Sequence, residues 1–135
     1  MKICHISDTH GIYQKALEPG DLLIHSGDGL LFGELNEVHG LACWFERQDY
    51  KHKIFVPGNH DLIFQDMYDV CERVMKTAGV KVLKNESHIP LFDPETNKLV
   101  RIWGSPYTRE FNNWAFMQFI YILKGTIESK GRCSR

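Results

Sequence analysis

Apolar and polar positions along this chain change period several times, and each change marks an element. Lys2 to Ser7 (KICHIS) and Asp21 to His25 (DLLIH) read as strands, the second buried, with Pro19-Gly20 as a turn between them. From Leu35 to Phe45 the apolar residues fall at Leu35, Val38, Leu41, Ala42 and Phe45, the spacing of one helix face. Lys53 to Val56 (KIFV) is a third strand, ended by Pro57-Gly58. Met67 to Ala78 is helical again, with Val70, Cys71, Val74 and Ala78 on one stripe and Gly79 suited to the helix end. Val80 to Leu83, Ser87 to Leu91 and Leu99 to Trp103 then read as strands, the last two joined by a turn over Asp93 to Asn97.

Strand, helix, strand, helix, strand predicts an α/β layer, βαβαβ with at least part of its sheet parallel, followed by a β-hairpin. Beyond Met117 the pattern is lost. Phe119 to Leu123 is contiguously apolar rather than periodic, and Glu128 to Arg135 is small, polar and basic. The expected division is a domain over residues 1–117 and a divergent, poorly ordered tail over 118–135.

Composition narrows the class. The chain has 135 residues, long enough for one domain with a real core, and 43% of them are hydrophobic. Sixteen basic residues against seventeen acidic ones give no bulk charge to hold nucleic acid. The longest apolar stretch, Phe116 to Leu123, is too short to span a membrane. The strand pattern begins at the amino terminus without a basic-then-apolar leader. Cys4, Cys43, Cys71 and Cys133 show no zinc-knuckle spacing; Cys4 falls in a strand and Cys43 and Cys71 in helix-like runs, which reads as reduced core thiols. A cytoplasmic location is therefore expected.

Three short runs carry the candidate chemistry: Asp8-Thr9-His10, Gly27-Asp28 and Gly58-Asn59-His60-Asp61. Each follows a predicted strand, where active groups of parallel sheets gather. Asp8 and His10, one residue apart in a loop, can turn toward one point; carboxylate plus imidazole suits Zn, Fe or Mn better than Mg alone. Asp28 has two oxygens with which to bridge two cations, and Gly27 lets backbone approach them closely. Asn59 offers a carbonyl oxygen to the second cation. His60 faces substrate, and Asp61 beside it is expected to orient that imidazole. Taken singly, each run is also an ordinary turn sequence. Three of them in order at successive strand ends point to a two-metal phosphoesterase site, in which a metal-activated water attacks phosphorus in line.

The runs ISDTH, HSGD and VPGNHD resemble the series D-x-H, GD, GNH-[DE] of the calcineurin-like metallophosphoesterase superfamily. Val82 to Glu86 and Arg101 to Thr108, with FNNWAF ending at Phe116, are similar to the branch of mammalian metallophosphoesterase-domain proteins. The resemblance covers residues 1 to about 117 and implies the amino-terminal part of that family's α/β sandwich. It assigns Asp8, His10 and bridging Asp28 to a first metal, Asp28 and Asn59 to a second, and His60 to catalysis, where Asp61 is expected beside it. It implies divalent cofactors (Mn, Fe, Zn or Mg) and hydrolysis of a small phosphoester or nucleotide, with a phosphodiester such as a cyclic nucleotide expected.

The family's later T-H-G-P-P and G-H-x-H runs are not found in these 135 residues. The sandwich is thus expected to be incomplete at its carboxyl end, with one weakly held metal rather than two and an exposed sheet open to self-association. A catalytically impaired isoform, acting as a metal- or nucleotide-binding or regulatory module, is the competing expectation. His5 and His25 alternate within strands, His39 and His52 fall in or beside solvent-facing helical stretches, and His88 reads as an exposed strand-edge residue. Trp103, Tyr107, Phe111, Trp114 and Phe116 either cover the sheet or offer a base-stacking platform, with Arg109 and Asn112 near enough in sequence to serve it.

Overall fold

The structure is a computed structural model that describes residues 1–88, 90–109 and 114–118. Phe111, Asn112, Cys133 and the tail beyond Gln118 lie outside the described residues. Four parallel strands form the central sheet in chain order: β1 (Ile3–Ile6), β2 (Gly20–His25), β3 (Tyr50–Phe55) and β4 (Val80–Val82). Helices α1 (Leu35–Glu46), α2 (Ile63–Asp66) and α3 (Tyr68–Thr77) cross between the later strands. The α/β class with a parallel sheet is as the sequence predicts.

Strand alternation sorts the core into two layers. Leu23 and Phe55 face α1 and α3, where Leu30, Val38, Leu41, Phe45, Phe64 and Met75 are fully buried. Leu22 and Ile54 face the other way and meet Leu83 and Leu91 in a smaller cluster. Cys71 is buried within the helix-side layer, whereas Cys43 is exposed on α1. Its core assignment was mistaken because Leu41, Ala42, Trp44 and Phe45 already fill the buried stripe of that helix.

The crossover from β1 to β2 contains no helix. Buried side chains of later elements bind its backbone instead: Trp44 Nε1 donates to Gln14 O (2.7 Å) and Gln48 Oε1 accepts Leu17 N (2.9 Å), while the crossover's own Tyr13 Oη donates to Gly29 O beyond β2 (2.8 Å). Those bonds supply partners that a helix would have provided internally.

The expected hairpin is two short ladders. β5 (Glu86–Ser87) pairs with β8 (Trp103–Gly104), and β6 (Leu91–Asp93) pairs with β7 (Lys98–Val100). Pro90 stands between β5 and β6 without an amide hydrogen to continue a ladder. A further pair, β9 (Thr108–Arg109) with β10 (Met117–Gln118), brings Trp114, Ala115 and Phe116 back toward the sheet.

Parallel register positions the site. Ile6 stands beside His25, His25 beside Phe55, and Phe55 beside Val82, so the carboxyl ends of all four strands form one row. The three motif loops leave from adjacent places on that row.

Candidate metal centre

Asp8, His10 and Asp28 come together at the strand ends, their candidate ligand atoms all within 4.8 Å of one another. Backbone bonds continue the pairing of β1 and β2 past the last strand residue. Asp8 N donates to Gly27 O (3.0 Å), His10 N to Asp28 O (2.9 Å), and Gly11 N to Gly29 O (3.0 Å). All three ligand residues have left-handed backbone, with φ of 55°, 45° and 55°. Non-glycine residues take that region at a cost of about 1–2 kcal/mol each. Its repetition at three ligands means that the surrounding bonds hold the loops in a shape the residues do not prefer.

Two carboxylates and an imidazole, partly exposed at a loop mouth, fit a divalent cation of the Mn, Fe or Zn type. Asp28 keeps one oxygen occupied: its Oδ1 accepts the His60 amide at 2.8 Å. Asn59, next to His60 in the loop after β3, is half-buried, and its main-chain carbonyl oxygen accepts Ala115 N at 3.4 Å. The His60 ring is exposed and stands edge-on to the His10 ring, with centroids 4.6 Å apart.

Asp61 has a different place from the expected one. It is fully buried, and its carboxylate accepts backbone amides rather than the His60 imidazole. Oδ2 takes Asp28 N at 2.9 Å and Gly58 N at 2.7 Å, with Gly29 N at 3.4 Å; Oδ1 takes Leu30 N at 2.9 Å. His60 Nδ1 instead lies 3.4 Å from Leu31 O. Asp61 therefore positions loops. Burial and the nearby Asp28 charge push its carboxyl up to about 6, against amide bonds that favour the anion.

The motif glycines serve loop contact. Gly27 has φ 105°, and a Cβ there would come within 2.8 Å of Gly58 Cα. A Cβ on Gly58 would in turn fall on the Asp28 carboxylate. Gly27 was expected to clear space for metal; what it clears is the backbone of the next loop.

Below the loops lies His25, fully buried against Trp44, Phe45 and Phe55. Its Nε2 lies 2.9 Å from Thr9 Oγ1, inside the Asp8-Thr9-His10 run, and its Nδ1 has no partner. Burial pulls its pKa down to about 4, so the ring is neutral at pH 7. His25 lies within a strand as the sequence reading has it; its burial and its bond to Thr9 are what the structure adds. His5 is exposed, with Nε2 2.8 Å from Ser26 Oγ, and His39 is exposed on α1. His52 lies within β3 rather than beside a helix. It is half-buried near His88, which is half-buried too rather than exposed.

The aromatic group divides. Phe116 is buried and Tyr107 packs against the core, whereas Trp103 and Trp114 are exposed. Trp114 stands beside His60, with ring centroids 6.3 Å apart.

Comparison with known proteins agrees with this geometry. The chain is 34% identical over 126 residues to human metallophosphoesterase domain-containing protein 1, and equally to the mouse protein. That match takes in 82% of this chain and 39% of the human protein. A probable rhamnogalacturonate lyase C of Emericella nidulans is 32% identical over 120 residues, which are 86% of this chain and 11% of that protein. The chain thus spans well under half the length of these relatives. The family described as calcineurin-like phosphoesterase matches residues 1–131, and with the strand-end cluster of Asp8, His10 and Asp28 in place, the chain belongs to that family.

Proposed function

We propose that this chain hydrolyses phosphoester bonds with a divalent cation held by Asp8, His10 and Asp28. The convergence of those three groups within 4.8 Å, beside the exposed His60 ring, is the observation that carries the reading. A bound cation supplies polarisation of the phosphoryl oxygens and acidification of water. Asp8 and Asp28 contribute the negative charge that holds it, and His10 adds a directional nitrogen donor. His60 contacts a phosphate oxygen or gives a proton to the leaving oxygen. Asn59 and Asp28 are the groups for a second cation, and a phosphodiester, including a cyclic nucleotide, is the proposed substrate.

Purified protein with Mn²⁺ should release nitrophenolate from bis(p-nitrophenyl) phosphate, and Asp28→Asn should abolish that release. Equal turnover in the variant would sink the assignment.

The ligand count favours a second reading. Among the described residues three His or acidic groups gather at the site, enough to hold one ion and few for a pair. A metal- or nucleotide-binding module without turnover is the corresponding function. It requires measurable Mn²⁺ binding by calorimetry in a chain that hydrolyses nothing.

A further inference from the structure

Next to His60 the surface is unusually apolar. Phe32 is 74% exposed, Trp114 47%, Leu31 44% and Leu62 42%, and all four line one shallow cleft with His60 and Asn59. Exposed apolar groups gathered in one place mark binding surfaces more often than scattered ones do. The cleft has a volume of about 150 Å³. That is below the roughly 300 Å³ at which sites for whole drug-sized ligands begin, so it suits one ring system.

Both aromatic walls are held despite their exposure. Glu37 reaches back from the first turn of α1 and accepts Leu31 N at 2.9 Å, Phe32 N at 3.1 Å and Glu34 N at 2.9 Å. On the other wall Ala115 N donates to Asn59 O (3.4 Å), and Phe116 N donates to Gln65 Oε1. A pre-ordered backbone on each side lowers the entropy cost of stacking a ligand between them. The rings also connect to the metal centre: His10 lies 4.6 Å from His60, and His60 lies 6.3 Å from Trp114.

From this arrangement we propose that Trp114 and Phe32 are specificity-determining residues. They form a stacking face for a planar aromatic group esterified to the phosphate that lies at Asp8, His10 and Asp28. The inference rests on the phosphoester reading and adds to it what the non-reacting part of the ester must be. A nucleobase and a simple aryl group share the required chemistry. An alkyl ester lacks it, because the attraction comes from π-faces and planar contact area.

The test is calorimetric, with the full chain and Mn²⁺, using adenosine 5′-monophosphate, phenyl phosphate and inorganic phosphate as probes. At least one aromatic ester should bind about tenfold more tightly than inorganic phosphate, the strength of one base–aromatic stack. Tighter binding of adenosine monophosphate than of phenyl phosphate identifies the group as a nucleobase, and the reverse as a simple aryl. Trp114→Ala should remove most of the advantage while leaving phosphate affinity unchanged, and Trp114→Phe should restore part of it. Phe32→Ala, at a side chain mostly in solvent, should weaken the aromatic esters without affecting folding.

Equal affinity for all three probes, or an aromatic advantage that survives both alanine variants, overturns the proposal. Binding needs no turnover, so the two readings fail separately. A chain that hydrolyses bis(p-nitrophenyl) phosphate but binds the three probes alike loses the stacking face and keeps the hydrolase. A chain that hydrolyses nothing but favours aromatic esters through Trp114 does the opposite.

Discussion

Asp61 and Asp28 clasp each other's loops. Asp61 Oδ2 accepts the Asp28 amide at 2.9 Å, while Asp28 Oδ1 accepts the amide of His60, the residue just before Asp61, at 2.8 Å. The buried carboxylate thereby fixes the backbone of the residue whose own carboxylate faces the metal centre. Asp61→Asn keeps one acceptor but turns an NH₂ group toward amide donors. It should cost about 2–3 kcal/mol in urea unfolding, the penalty for buried donors left unpaired. Mn²⁺ affinity should fall as well, because the Asp28 loop loses its anchor. An unchanged unfolding midpoint would remove the clasp from the fold's support.

Asp28→Asn separates holding metal from holding loops. The amide oxygen of Asn still accepts the His60 amide, so the unfolding free energy should change by less than about 1 kcal/mol. Mn²⁺ binding should weaken tenfold or more, since one of the two carboxylates in the group is gone. Calorimetry and urea unfolding on one sample give both numbers.

The three motif loops were legible in the sequence because turn-forming residues follow short apolar runs, and a parallel sheet brings its strand ends together. Asp61 was not. A carboxylate beside a histidine reads the same whether it faces the ring or, as here, three amides of another loop and one of its own, and chain crossing decides which. The non-helical crossover between β1 and β2 was open for a related reason. Its backbone partners are Trp44 and Gln48, each about thirty residues from the crossover group it binds. α2, at four residues, is too short to show a helical period.

Glycine substitutions test loop contact against plain helix propensity. Gly27→Ala places a methyl 2.8 Å from Gly58 Cα and a side chain at φ 105°, so it should cost well over about 2 kcal/mol. Gly40 lies within α1, where an added Cβ meets nothing within 4 Å. Gly40→Ala should therefore stabilise the chain by about 0.5–1 kcal/mol. Urea unfolding of both variants with and without Mn²⁺ checks the contrast. A mild Gly27→Ala effect would mean that the two loops can separate cheaply.

His25 makes stability depend on pH in a direction that follows from burial. Its folded pKa, about 4, lies below the ordinary 6.5, so the unfolded chain binds the proton first. Stability from this group is present above about pH 6.5 and is lost as pH falls toward 4. The difference between the two values corresponds to roughly 3 kcal/mol. Asp61, raised to about 6, works the other way over part of the same range, losing stability as pH rises from 4 to 6. Comparison with His25→Gln isolates the histidine, because the amide keeps a group for Thr9 Oγ1 and cannot titrate. Between pH 7 and pH 4.5 the natural chain should lose more stability than the variant, by about 2 kcal/mol or more. Equal slopes would mean that His25 is protonated or water-linked in the folded chain, and its burial beneath the metal loop would then need another partner at Nδ1.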